Sequence, residues 1–321
     1  MRVDLHRDVF KADGFELIIT LMRLFVEDRH QWFVNPDDID DVVAYFLEHA
    51  PTKAIVYSDL ARKSLVAQSR PAPVFSAPLK VLSESLADHV ADLSRPARVV
   101  VENRTADGAF IVAIAHVFAA ADILRAHTEG WFEFVQSGGS GEIHKVVLAE
   151  LGTFRKVARV TFLLDSDRGT ADQVSKYEKV LSDLQKLGIK GHVLKYREME
   201  NYIPNRALAA IPWPKRKQSK LSARITCLKG LTPEQRAFVD IKHGFSREKS
   251  NNWPRQIEAA REKMYPAKVR RELSSGFGDG LSELLQQEAA TGKIAAADFD
   301  SLGPGTCDEL RALLALIRDI I

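Results

Sequence analysis

The sequence predicts an α/β protein in which a mainly parallel sheet over about residues 97–205 lies between helical N-terminal and C-terminal regions. Three observations predict it. In the middle of the chain short β-branched runs alternate with longer amphipathic segments, a rhythm that right-handed crossovers turn into a parallel sheet. On either side, apolar residues recur at helical spacing. The composition, 45% hydrophobic and 27% charged over 321 residues, is that of a packed globular chain long enough for at least two folding units.

Taken in order, residues 1–96 read as a helical region. DVFKADGFELIITLMRLFVED carries helical spacing, and NPDDIDDVVAYFLEHA opens with Pro36 and two aspartates suited to the positive end of a helix dipole. SAPLKVLSESLADHVADL predicts a further amphipathic helix, closed by Ser94 to Pro96. The sheet region then runs as ARVVVE strand, ADGAFIVAIAHVFAAADILRAH helix, GWFEFVQSGG strand and glycine turn, and EIHKVVLAELGTF helix. It continues as RVTFLLDSD strand, ADQVSKYEKVLSDLQKLG helix and KGHVLKY strand. Residues 206–321 read as a basic loop and amphipathic helices, among them LTPEQRAFVDIKHGF, NNWPRQIEAAREKMY, LSELLQQEAATG and CDELRALLALIRDII.

Several classes are disfavoured by composition. No apolar stretch approaches the ~20 residues that cross a bilayer, and MRVDLHRDVF lacks the basic-then-apolar pattern of a signal peptide, so a cytoplasmic protein with no membrane partner is expected. Cys227 and Cys307 sit in no metal-ligand spacing, which argues against a disulfide framework or a structural zinc. A net charge of +2 points to no partner, but its distribution does. Between Arg206 and Lys229 there is no acidic residue, and Lys215, Arg216, Lys217 and Lys220 follow Trp213. Such a segment can neutralise phosphates and offer a ring to a base, although a solvated loop explains the charge run as well.

The chemistry lies at the predicted strand ends, where α/β folds bind ligands. In LLDSDRG, Asp165 and Asp167 leave an apolar strand with one residue between them, placed to converge on a hard cation such as magnesium. Alone, the spacing also occurs in glycosyltransferases, phosphatases and surface loops. Glu102 ends the first strand, across the crevice, as a metal ligand or proton carrier, or simply as an exposed charge. The SGGSGE turn, Ser137 to Glu142, permits positive φ and lacks the GK[ST] of a phosphate loop. REMENYIP brings Glu198 and Glu200 to the same edge, with Asn201 to orient them and Tyr202 to anchor the chain.

The order VVVE, glycine turn, LLDSD and REMENYIP resembles the Toprim domain shared by topoisomerases, primases and several nucleases. Its ENY element resembles the Toprim part of the overcoming-lysogenization-defect nucleases and related phage-defence proteins. The resemblance covers about residues 97–205, with GFGDGLSELL (Gly276 to Leu285) like downstream helices. It implies a Toprim-like sheet and an endonuclease that uses Mg2+ or Mn2+ to hydrolyse DNA or RNA, with Glu102, Asp165, Asp167 and Glu200 as catalytic metal ligands. It also implies a separate ATPase subunit as a partner. Two departures stand out. Asn103 occupies the position of a family glycine, and Asp107 comes one or two residues late, which puts its metal role in doubt. For a basic residue beyond the acidic cluster, Lys242 is the first candidate and Lys268 the second; Lys242 is also counted with the nucleic-acid-binding residues. The alternatives are a non-catalytic Toprim-like subunit that binds nucleic acid or a partner, and a haloacid-dehalogenase-type phosphatase suggested by DSDRGT.

Overall fold

The computed structural model describes residues 1–11, 13–68, 77–139, 141–247 and 253–321, together with the backbone but not the side chain of Arg216. Ser140 of the glycine turn, Ser76 at the head of the third predicted helix, and Asn251 and Asn252 fall outside the described residues. The architecture is α/β, with two purely parallel sheets flanked by helices.

The first region contains the expected helices α1 (Phe15–Val26), α2 (Ile39–His49), α3 (Ala54–Gln68) and α4 (Leu86–Ser94), and also a small sheet. Strands β1 (Arg2–Leu5), β2 (Gln31–Phe33) and β3 (Leu79–Val81) pair in the order β2-β1-β3. The helix predicted over residues 76–93 therefore begins only at Leu86. Three residues, LKV, are too few to establish a period, and pairing with β1 fixes them as extended chain. This unit has its own core, with Val3, Leu21, Phe25, Trp32 and Phe46 among its buried residues.

The central sheet is built from β4 (Ala97–Val101), β5 (Phe132–Gln136), β6 (Val160–Leu164) and β7 (Gly191–Val193), in the order β5-β4-β6-β7. Every β6 residue is buried, as expected of a strand covered on both faces. Alternation along β4 divides the core: Val99 and Val101 face one layer, Val100 the other. On Val100's side α7 (Ile143–Leu151) and α8 (Glu178–Lys186) contribute Ile143, Val147 and Leu184 around Phe162. Burying a ring of that size contributes about 1.5–3 kcal/mol, and Gly191 leaves room for it, since a Cβ there would stand 2.2 Å from the Phe162 ring.

The other face carries α5 (Arg104–Val117) and α6 (Ala121–Thr128), which were expected as one helix. The chain breaks between them where Ala119 takes a left-handed φ of 51°. Residues 107–115 of α5 are all buried, because the helix is enclosed between the sheet and the C-terminal helix α14. The C-terminal region supplies α9 (Asn205–Ala209), α10 (Gln218–Lys229), α11 (Pro233–Phe238), α12 (Arg255–Met264), α13 (Ala267–Glu272), α14 (Leu281–Ala290), α15 (Ala296–Asp300) and α16 (Thr306–Ile320). Apolar residues of α14 and α16, including Leu285, Leu310 and Ile317, complete the same core as α5. Among the described residues no helix is long and apolar enough to cross a membrane.

Candidate active site

The strand order gives the site its place. From β4 the chain moves outward to β5, then returns to the other side of β4 for β6, so the crossovers diverge between β4 and β6. At such a switch point, the carboxyl ends of the two strands leave an open crevice. Glu102 follows β4 directly and Asp165 follows β6 directly. Val100 pairs with Phe162, and continuing that register sets Glu102 level with Leu164, one residue before Asp165.

Behind Glu102, Asn103 is extended (φ −124°) and caps α5, its side chain accepting from the N–H groups of Thr105 and Ala106. An asparagine here satisfies two otherwise orphan donors of the helix start. One turn later Asp107 folds back, and its Oδ2 accepts from Asn103 N at 2.9 Å. Burial and the neighbouring Glu102 charge raise the Asp107 carboxyl to about 7, against the pull of that backbone hydrogen bond and of Lys242.

Asp165 occupies the middle of the rim. Its Oδ1 accepts from Met199 N at 3.0 Å. Desolvation, then the charges of Glu200, Glu198, Asp107 and Asp167, push its carboxyl well above the ordinary range. Glu200 is raised to about 7, by burial first and by Glu198 next. Asp107 thus acts electrostatically on both sides of the crevice, feeling Glu102 and acting on Asp165.

Glu198 and Glu200 are held by an unusually well-anchored turn, a short 3-10 helix over Met199–Tyr202. Asn201, fully buried, accepts from Glu198 N and donates to the carbonyls of Arg236 and Val239. Tyr202 donates from its hydroxyl to Glu309 of α16 at 2.7 Å. Arg197 pairs with Glu198 at 2.8 Å and Asp240 at 3.4 Å.

Asp167 is engaged differently from Asp165. Its backbone is left-handed (φ 53°), with its N–H on the Arg197 carbonyl. Its Oδ2 accepts from the Tyr177 hydroxyl at 2.8 Å and meets Lys176 Nζ at 2.9 Å. Sequence reasoning missed both partners. Residues 171–177 were expected to belong to a helix that actually begins at Glu178, and nothing in their composition marks a contact back to Asp167.

Lys242 lies at the rim, where its charge lowers Asp107 and Glu200. Its ammonium is 3.0 Å from Asp279. Two loops pack backbone to backbone to put it there: Phe277 N donates to Ile241 O and Gly278 N to Lys242 O. Glycine is required at Gly276, where a Cβ would lie 2.2 Å from the Lys242 carbonyl oxygen.

The basic segment is a 3-10 turn, Lys215–Lys217, leading into α10. Lys215, Lys217 and Lys220 are exposed. Trp213 is half-buried against the core with the Arg224 guanidinium 5.0 Å from its ring centroid, so one face is already covered. Arg224 also donates to Gly276 O at 2.7 Å, which ties α10 to the loop beside Lys242.

The rim's donors are oxygen only and mutually repulsive, the chemistry that a hard divalent cation relieves. As folded they form a partly buried carboxyl rim: among the described residues no three His, Cys, Asp or Glu side chains form a ready metal cage. Asp167, held by Lys176 and Tyr177, and Asp165, held by Met199, show where the oxygens expected to coordinate are engaged instead. Comparison of the chain with family models, with curated proteins and with solved structures returns no match.

Proposed function

We propose that this protein is a divalent-metal-dependent nuclease of Toprim type that hydrolyses phosphodiester bonds in DNA or RNA at the rim between β4 and β6. One observation carries the reading: Asp107, Asp165 and Glu200 gather at the switch-point crevice with their carboxyls raised by burial and by neighbouring negative charge. A fold tolerates such crowding where an added cation offsets it, and perturbed carboxylates in a cleft are typical of catalytic sites. Glu102, Asp165, Asp167 and Glu200 would hold magnesium or manganese, joined by Asp107. When bound, the ion stabilises the charge that develops on the phosphodiester oxygens.

The chain's own residues do the rest. Glu102, at the mouth of the crevice, exchanges a proton with water or the leaving oxygen. Lys242 offers its ammonium to a phosphate oxygen. The exposed lysines 215, 217 and 220 draw the nucleic-acid backbone toward the loop that carries Gly276, through charge neutralisation that weakens as salt rises. The covered face of Trp213 leaves the lysines, more than base stacking, as the source of attraction.

The test is cleavage of plasmid, single-stranded DNA and tRNA with magnesium, manganese or a chelator. Glu102→Ala and Asp165→Ala are each expected to lose roughly a hundred-fold or more of the metal-dependent rate while retaining the wild-type circular dichroism spectrum. Metal-dependent cleavage retained in both variants removes the reading.

A further inference from the structure

We propose that Asp279 is a positioning residue: it holds the Lys242 ammonium in place of a substrate phosphate oxygen, and the incoming nucleic-acid backbone displaces it. The inference rests on the nuclease reading above. Lys242 Nζ and Asp279 Oδ1 lie 3.0 Å apart, but the two side chains are mounted in different ways. The lysine's backbone is fixed, since its carbonyl accepts from Gly278 N and the preceding carbonyl accepts from Phe277 N. The aspartate sits beyond that anchor, between Gly278 (φ 91°) and Gly280 (φ 77°), both with open space where a side chain would project.

Exposure follows the same division. The Asp279 side chain is 84% exposed and that of Lys242 32%. An ion pair with so wet a partner is weak, because water competes for both charges. A phosphate delivered with the rest of a bound strand arrives at high effective concentration and replaces it. Carboxylates deeper in the rim, Glu198 and Glu200, also act on the lysine. Its ion pair is nevertheless with the exposed Asp279, the solvent-facing partner that an incoming backbone phosphate can replace. The Asp279 oxygen therefore marks where a non-bridging phosphate oxygen binds, and its charge sets a threshold that substrate must overcome.

Steady-state cleavage of a fluorescently labelled oligonucleotide, with magnesium, tests this in the full-length wild type, Asp279→Asn, Lys242→Met and the double variant. Asp279→Asn is expected to lower KM about three-fold or more with kcat within about two-fold of wild type, and to have no such effect in the Lys242→Met background. A KM that is unchanged or higher, a larger loss of kcat, or a fall in KM that survives without Lys242 overturns the inference. Wild-type protein that cleaves nothing overturns this inference and the nuclease reading together. Wild-type cleavage with no KM shift overturns this one alone.

Discussion

The two ends of the central sheet treat buried charge in opposite ways. At the amino end, Asp92 is fully buried and its carboxylate accepts from the backbone N–H groups of Arg155, Lys156 and Val157, at 2.7–3.1 Å. Beside it Arg159, also fully buried, donates to the carbonyls of Asp92, Leu93, Arg95 and Ile320. At the carboxyl end, Asp165 receives one backbone N–H and faces four carboxylates. The first arrangement answers buried charge with backbone partners, leaving only Arg159 Nη2 of that guanidinium without one, and joins the N-terminal unit, the sheet and α16. The second is crowded with like charge, a cost to folding that proton uptake or a bound cation offsets.

Breaking the hydrogen-bonded amino end therefore costs stability and leaves the chemistry alone. Arg159→Met is expected to lower the free energy of unfolding by about 3 kcal/mol or more, because four carbonyls at the junction each lose one donor and the negative end of α4 loses its cation. Urea denaturation measures it, and metal-dependent cleavage per folded molecule should stay at the wild-type level. A stability change below about 1 kcal/mol would mean that the junction tolerates a neutral, apolar replacement, as some buried charged groups do.

A smaller effect sharpens the same contrast through pH. His30 packs at this junction, its Nε2 donating to the Leu93 carbonyl at 3.0 Å. Burial first, and the Arg159 charge next, hold its pKa well below the usual value. The unfolded chain thus binds a proton that the native state refuses, and stability is lost as pH falls below about 6.5, the unfolded histidine value. Above that pH the group contributes no slope. His30→Gln is expected to flatten the fall in melting temperature between about pH 6.5 and 5; an unchanged slope would place the acid sensitivity elsewhere.

Much of this arrangement was legible in the sequence, for reasons that particular residues make plain. ARVVV and VTFLL are runs long and apolar enough to declare buried parallel strands, and the acids that follow them fall at the sheet's carboxyl edge by topology alone. RVDL, QWF and LKV are three or four residues each, and only mutual pairing makes them strands. Asp107 looked displaced by counting residues, yet the Asn103 cap turns the helix so that its carboxyl returns to the rim. Contacts across space, such as Lys176 and Tyr177 on Asp167 or Arg224 on the Gly276 carbonyl, leave no pattern in a single chain to read.

The claim on which everything turns is that the carboxyl rim is built to take a cation. Isothermal titration calorimetry of Mn2+ into the full-length wild type and the Asp165→Asn variant measures it directly, apart from any cleavage. The account predicts saturable binding by the wild type, weakened about ten-fold or more in the variant. Equal affinity in the two proteins, or no binding by either, would contradict it.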